Sequence, residues 1–232
     1  MIRVLGAGAA AAAVLHGGPA PAPVVPGLAG LLDVEARQAG VGGVALPFDD
    51  GPHPQGTPAV LETLREASAT ATFFLAGEQV VRRPGLAAEI VSAGHRVGLH
   101  CHRHRNLLRL TVADFLDDAE RARAAIEEAT GQAVAHYRPP YGIFSTATLR
   151  AVRRRGWRPV LWSRWGRDWS RRATAQSIAR RSVARARAGD IVLLHDADYY
   201  SARGSWVRTA AALPLILAEL ERRGLKTVSL RR

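Results

Sequence analysis

The strongest restriction on the fold is a repeated alternation of short apolar, β-rich runs with longer helical patterns from residue 43 onward. "GVALPF" (43–48), "ATATFFLAG" (69–77), "HRVGLH" (95–100), the strand held within "AVAHYRPP" (133–140), "RPVLWS" (158–163), "DIVLLHD" (190–196) and "KTVSL" (226–230) read as strands. Helical patterns fill the gaps at 57–68, 83–94, 111–131, 145–156, 174–189 and 205–224. Thr57 and Pro58 open the first; Thr111 with Asp114 opens the third and Gly131 ends it; Pro214 should bend the last. Alternation of this kind implies right-handed βαβ units and parallel strands. A length of 232 residues with 47% hydrophobic content suits one α/β barrel with a sizeable core. No GxGxxG or Walker A pattern follows the first strand, so nucleotide-binding folds lose ground.

Residues 1–40 read as a leader to this domain, which occupies 41–232. The Ala-rich start with its single early Arg3 fits either a secretory signal or a retained helix. A Pro-rich extended linker (19–26) and a short helix (28–40, stopped at Gly40) follow. Past the N-terminus no apolar run is long enough to span a membrane. Cys101 is the only cysteine, which excludes an intramolecular disulfide. The net charge is +12, and Lys226 is the one lysine among 32 basic residues. Such an excess suits a polyanionic partner, or simply arginines on solvated helix faces. The runs Arg153–Arg155 and Arg180–Arg181 lack interleaved aromatics, so nucleic acid is not the expected partner.

The polar chemistry gathers where the strands end. Asp49 and Asp50, His100, Arg138, Asp168 and His195 each fall at or just past the end of a separate strand, where barrels carry their active sites. In "PFDDGP" (47–52) adjacent carboxylates can reach one place only if the chain turns, as Gly51-Pro52 allows. One aspartate could then ligate a cation while its neighbour acts as base; a plain Asp-Gly turn reads equally well in isolation. "HCHRH" (100–104) offers four possible metal ligands, three histidines and a cysteine, in five positions. On a straight strand i and i+4 lie roughly 13 Å apart, too far for one ion, whereas on a helical turn they meet. The spacing therefore predicts a strand ending near His100 and a helical turn after it, with His102 directed elsewhere. Arg138, before two prolines, is held extended and suits orienting a carboxylate. His195 ends an apolar strand with a pKa suited to a general acid.

Taken together, "PFDDGP", "HCHRH", "RPPYG", "RDW" and "VLLHD" resemble, in order and spacing, the polysaccharide deacetylases (the NodB-homology enzymes of carbohydrate esterase family 4) over about residues 43–230. The resemblance implies a distorted (β/α)7 TIM-like barrel and hydrolysis of N-acetyl groups on chitin-like or peptidoglycan glycans. Its alternatives are an O-acetyl esterase acting on xylan-like polymers and an inactive glycan-binding protein of the same fold. It implies a divalent metal, zinc first and Co, Ni, Mn or Fe after it, held by Asp50, His100 and His104. Asp49 would be the base, oriented by Arg138, and His195 the acid, tuned by Asp168. The Tyr141 backbone N–H would hold the oxyanion, and Trp169, Leu193 and Pro139 would contact substrate. A secreted or cell-surface monomer acting on an acetylated glycan is expected, or a cytoplasmic one if the leader is retained. Three positions depart from the family pattern: Pro47 for Thr or Ser, Cys101 for a small hydroxyl residue, and Trp165 where an acid often begins the motif that ends in Asp168-Trp169.

Overall fold

A computed structural model describes residues 15–231; the N-terminal part of the expected signal segment lies outside the described residues. Among the described residues nine short strands are interleaved with helices, the run expected at 43–48 being two strands, and every strand pair is parallel. In chain order they are α1 (Leu28–Leu31), β1 (Gly43–Ala45), β2 (Pro47–Asp49), α2 (Gly56–Glu66), β3 (Thr72–Ala76), α3 (Gly77–Arg82), α4 (Pro84–Ser92), β4 (Arg96–Cys101), α5 (Val112–Thr130), β5 (His136–Tyr137), α6 (Thr146–Arg154), β6 (Arg158–Pro159), β7 (Arg164–Trp165), α7 (Ala175–Val183), β8 (Val192–His195), α8 (Ser205–Arg222) and β9 (Lys226–Val228).

The main sheet runs β6-β5-β4-β3-β2-β8-β7, and β9 pairs with β1. Its two edges, β6 and β7, belong to one stretch of chain. The first half of 158–165 bonds β5, with Arg158 N–H on Ala135 O and Val160 N–H on Tyr137 O. The second half bonds β8, with Ser163 and Arg164 N–H both on Ile191 O. One bent segment thus curls the sheet round on itself, as the distorted barrel requires. The strand expected at 158–163 is accordingly two short strands.

Alternation along each strand sends one side chain into the barrel and the next to the helices. Phe48, Phe73, Phe74, Leu99 and Leu194 are fully buried in that core, and Phe48 stacks on Phe73 at 5.3 Å. The cap expected at Thr111 is present, whereas α2 begins at Gly56, so Thr57 lies inside it and does not cap it. Thr111 Oγ1 accepts from Asp114 N, Gly131 ends α5 in the left-handed region, and Ser145 and Thr174 open capping boxes. α8 runs unbroken through Pro214.

The N-terminal segment departs from expectation. Residues 19–26 form successive hydrogen-bonded turns rather than an extended linker, with Ala22 N–H on Pro19 O and Val24 N–H on Pro21 O. The helix expected over 28–40 stops at Leu31. Glu35 N–H then donates to Pro159 O and its carbonyl accepts Leu161 N–H. Partners on a distant strand satisfy this backbone, so it leaves the helix. Among the described residues no helix is long and apolar enough to cross a membrane.

Candidate active site

Parallel strands carry their C-terminal ends to one side of the barrel, and the polar residues named above meet there. Asp49 is the last residue of β2 and Asp50 follows at φ 79°. That left-handed turn lets two adjacent carboxylates serve one site, at a conformational cost a non-glycine residue accepts rarely. Gly51 is required by close approach: a Cβ there would run into the Asp196 carboxylate.

The Asp49 carboxylate accepts Arg138 Nη1 at 2.7 Å. Arg138 is fully buried; its Nη2 donates to Leu161 O at 3.0 Å, and its guanidinium lies 4.2 Å from the Phe74 ring centre. Burial depresses the Arg138 pKa, which Asp49 opposes, and the guanidinium remains a cation at neutral pH.

Asp50 Oδ1 lies 3.3 Å from His100 Nε2 and 3.7 Å from His104 Nε2, and is buried with no hydrogen-bond partner. One ligand atom from each of the three residues falls within 4.8 Å of the others. His100 Nδ1 sits 2.8 Å from Arg138 O. A carbonyl only accepts, so Nδ1 carries the proton and Nε2 keeps its lone pair for a ligand. Burial, with His100 alongside, pushes the His104 pKa down to about 4, so that ring is neutral near pH 7. Burial works to raise the Asp50 pKa, but the facing His100 imidazole and the charge of His195 hold it below the usual carboxylate value. An orphaned anionic oxygen facing two imidazole nitrogens is a donor set that fits a first-row divalent cation.

The route by which His100 and His104 converge is not a helical turn. β4 runs on through Cys101 and the chain then bends at His102 and Arg103. Asp118, buried on α5, makes the bend: its carboxylate accepts His102 N at 2.7 Å and Arg103 N at 3.1 Å, and pairs with Arg105 at 2.9 Å. Side-chain acceptors for backbone N–H groups replace the helical bonds that the spacing suggested. Cys101, next to His100 on the strand, leaves by the opposite face and is buried; burial pushes its thiol pKa well up, so it is not among the grouped ligands.

His195 closes β8. Its Nδ1 lies 2.9 Å from Asp168 Oδ1, its backbone N–H donates to Asp168 Oδ2 at 2.7 Å, and Thr209 Oγ1 donates to Oδ2 at 2.9 Å. Thr209 supplies a neighbour to Asp168 where Trp165 replaces the usual acid. Burial alone would lower the His195 pKa; the Asp168 charge and hydrogen bond prevail and raise it to about 10.

A cavity of about 310 Å³ opens between these groups, lined by Asp50, His104, Tyr141, Trp162, Trp165, Trp169, Leu193, His195, Tyr200 and Ser201. Trp169 and Leu193 lie where the sequence reading puts substrate contacts. Pro139 is buried and does not line the cavity. Tyr141 sits at φ 61° and is 56% exposed, with its ring edge on His104 at 4.5 Å. Sequence reasoning missed Tyr200, Trp162 and Asp118. Tyr200 stacks flat on His104, centroids 4.3 Å and planes 11° apart, and its hydroxyl donates to Glu78. The available signal was position: "DADYYSARGSW" leaves the C-terminal end of β8 directly.

The chain is similar to known proteins in sequence and fold. The model of the polysaccharide deacetylase family matches residues 36–160. A chitooligosaccharide deacetylase of Azorhizobium caulinodans is 37% identical over 188 residues, covering 78% of this chain and 89% of the relative. A peptidoglycan-N-acetylglucosamine deacetylase of Bacillus cereus is 35% identical, covering 80% and 85%. The crystal structure of a peptidoglycan N-acetylglucosamine deacetylase superposes with TM-score 0.78 at 27% identity, covering 84% of this chain and 88% of the other.

Proposed function

Because the chain belongs to the polysaccharide deacetylase family, we propose that it hydrolyses N-acetyl groups of N-acetylglucosamine-containing glycans with the Asp49–Asp50–His100–His104–His195 site. The observation that carries the reading is the pairing of an orphaned Asp50 Oδ1 beside two histidines with a second carboxylate, Asp49, clamped by a buried arginine. A divalent cation held by Asp50, His100 and His104, with zinc the first choice and Co, Ni, Mn or Fe alternatives, would polarise the acetyl carbonyl and acidify water.

The residues do the rest. Arg138 holds one oxygen of Asp49, so the other oxygen is free to take a proton from the attacking water. The Tyr141 backbone N–H, presented at the mouth of the cavity by the turn after Pro140, would donate to the developing oxyanion. His195, kept protonated by Asp168, would deliver a proton to the departing sugar amine. Trp169 and Leu193 are apolar surfaces for the acetyl methyl. Homologues named for peptidoglycan support a cell-surface or secreted site of action, and we assign a monomer with a leader over residues 1–40.

Acetate release from chitin oligomers and peptidoglycan is expected from metal-loaded protein and to be abolished by chelation, then restored by Zn²⁺ or Co²⁺. Absence of release from every acetylated glycan tried would sink the reading. Metal retention has its own test at Tyr200. Buried His104 Nδ1 lacks a hydrogen-bond partner, so the usual means of fixing a ligand ring is missing and the flat Tyr200 stack takes its place. Tyr200→Ala is expected to weaken divalent-metal binding by about tenfold in chelator competition, and Tyr200→Phe, which keeps the stack, to leave it near wild type.

A further inference from the structure

Some arginines on this chain are balanced by acids nearby. Arg65, Arg123, Arg222 and Arg223 each pair with a glutamate one helical turn away. The loops after β7 and β8, which form one rim of the cavity, contain no such pair at their arginines. They carry Arg167, Arg171, Arg172 and Arg203, all exposed, and among the described residues none of the four is in an ion pair. The acids of the same loops are spent inward. Asp168 is buried on His195, Asp196 accepts the Thr57 hydroxyl, and Asp198 accepts Gly204 N–H and faces His53.

The two loops are one surface, since Ala202 N–H donates to Trp169 O at 3.2 Å and Arg208 reaches Ser170 O at 3.3 Å. They are also continuous with the cavity. Trp165, Trp169 and Ser201 line it, Arg171 and Arg172 follow Trp169 by two and three residues, and Arg203 follows Ser201 by two. Arg167 lies over the Trp165 ring at 5.0 Å, a stack that leaves its in-plane N–H donors free. An aromatic shelf suits a sugar face, and a guanidinium fork beside it suits a carboxylate.

We propose that this rim is a carboxylate-binding site, through which Arg171, Arg172, Arg203 and Arg167 select glycans that carry acidic substituents beside the acetylated sugar. The ligand class is a glycan with free carboxylates, such as peptidoglycan with its peptide stems, in preference to a neutral chitin-like chain. The proposal rests on the deacetylase reading for its orientation toward the cavity, but its binding does not depend on turnover.

The test compares wild type with the Arg171→Gln/Arg172→Gln/Arg203→Gln variant. All three sites are exposed, and a matching thermal melt checks the fold. Retention on peptidoglycan strands with free carboxylates, on the same strands after amidation, and acetate release from both, are measured at about 50 and about 300 mM salt. Wild type should bind the free-carboxylate strands about tenfold tighter than the amidated ones at low salt. Added salt should shrink that ratio, and the variant should bring it near one. Equal binding to both strands by wild type, a ratio kept by the variant, or equal competition by duplex DNA would each overturn the proposal. Arginine-dependent retention without acetate release would sink the deacetylase reading alone; release without a carboxylate preference would sink the rim alone.

Discussion

Asp49→Asn is expected to lower kcat/KM for acetate release by about a thousandfold while divalent-metal affinity stays near wild type. The amide cannot take a proton from water, whereas Asp50, His100 and His104 are untouched. The same change has a structural cost. Arg138 is fully buried, and its charge would be left facing a neutral side chain and the Leu161 carbonyl. Breaking a buried pair from one side costs about 3 to 5 kcal/mol, which a denaturant melt would register. Adding Arg138→Met removes the stranded charge and should recover part of that stability without recovering activity. Near-wild-type turnover by Asp49→Asn, or a loss traced to metal dissociation, would remove Asp49 from the role of base.

Asp168→Asn is expected to shift the pH profile. In the folded protein the His195 pKa stands at about 10 against an ordinary 6.5, because the Asp168 carboxylate outweighs burial. A group raised on folding contributes stability that is complete below its unfolded pKa and lost as pH rises through its folded one. The pair therefore stabilises the wild type fully below about pH 6.5, and that contribution fades towards pH 10. A bound dication opposes the protonated ring and draws the upper limit down. Without the Asp168 charge, burial is left to lower the His195 pKa. The alkaline limb of kcat/KM should move down by more than one pH unit, and the stability of the variant should vary less between pH 6.5 and 10. An unmoved limb would show that another group supplies the proton.

Much of the fold was legible because it depends on local signals. Apolar runs bounded by glycines and capped helices located seven strand regions, two of which (43–48 and 158–163) prove to be two strands each, and six of the helices to within a few residues. The helix at Gly77–Arg82 was missed because it begins at the residue where a β-rich run ends, with no capping side chain to mark it. The strands expected at 133–140 and 158–163 shortened or split because their pairing depends on distant partners. The 28–40 segment misled for the same reason: its composition suits a helix, but the backbones of Pro159 and Leu161 were waiting for Glu35.

The residues that gather at the site were legible from motif order, since each lies at or a few residues past the end of a parallel strand and parallel strands deliver their ends to one side. By itself the sequence determined that delivery, the presence of two carboxylates before a Gly-Pro turn, and the extended arginine before two prolines. Only the tertiary structure decided how His100 and His104 meet, because the bend between them is made by Asp118, sixteen and fifteen residues from the N–H groups of His102 and Arg103 that it accepts. It likewise decided that Tyr200 lies flat on His104, that Thr209 serves Asp168, and that the arginines after β7 and β8 share one rim without acids. Spacing along a chain states which groups can be neighbours through local geometry; contacts between separate elements depend on how the barrel closes, and no local period encodes that.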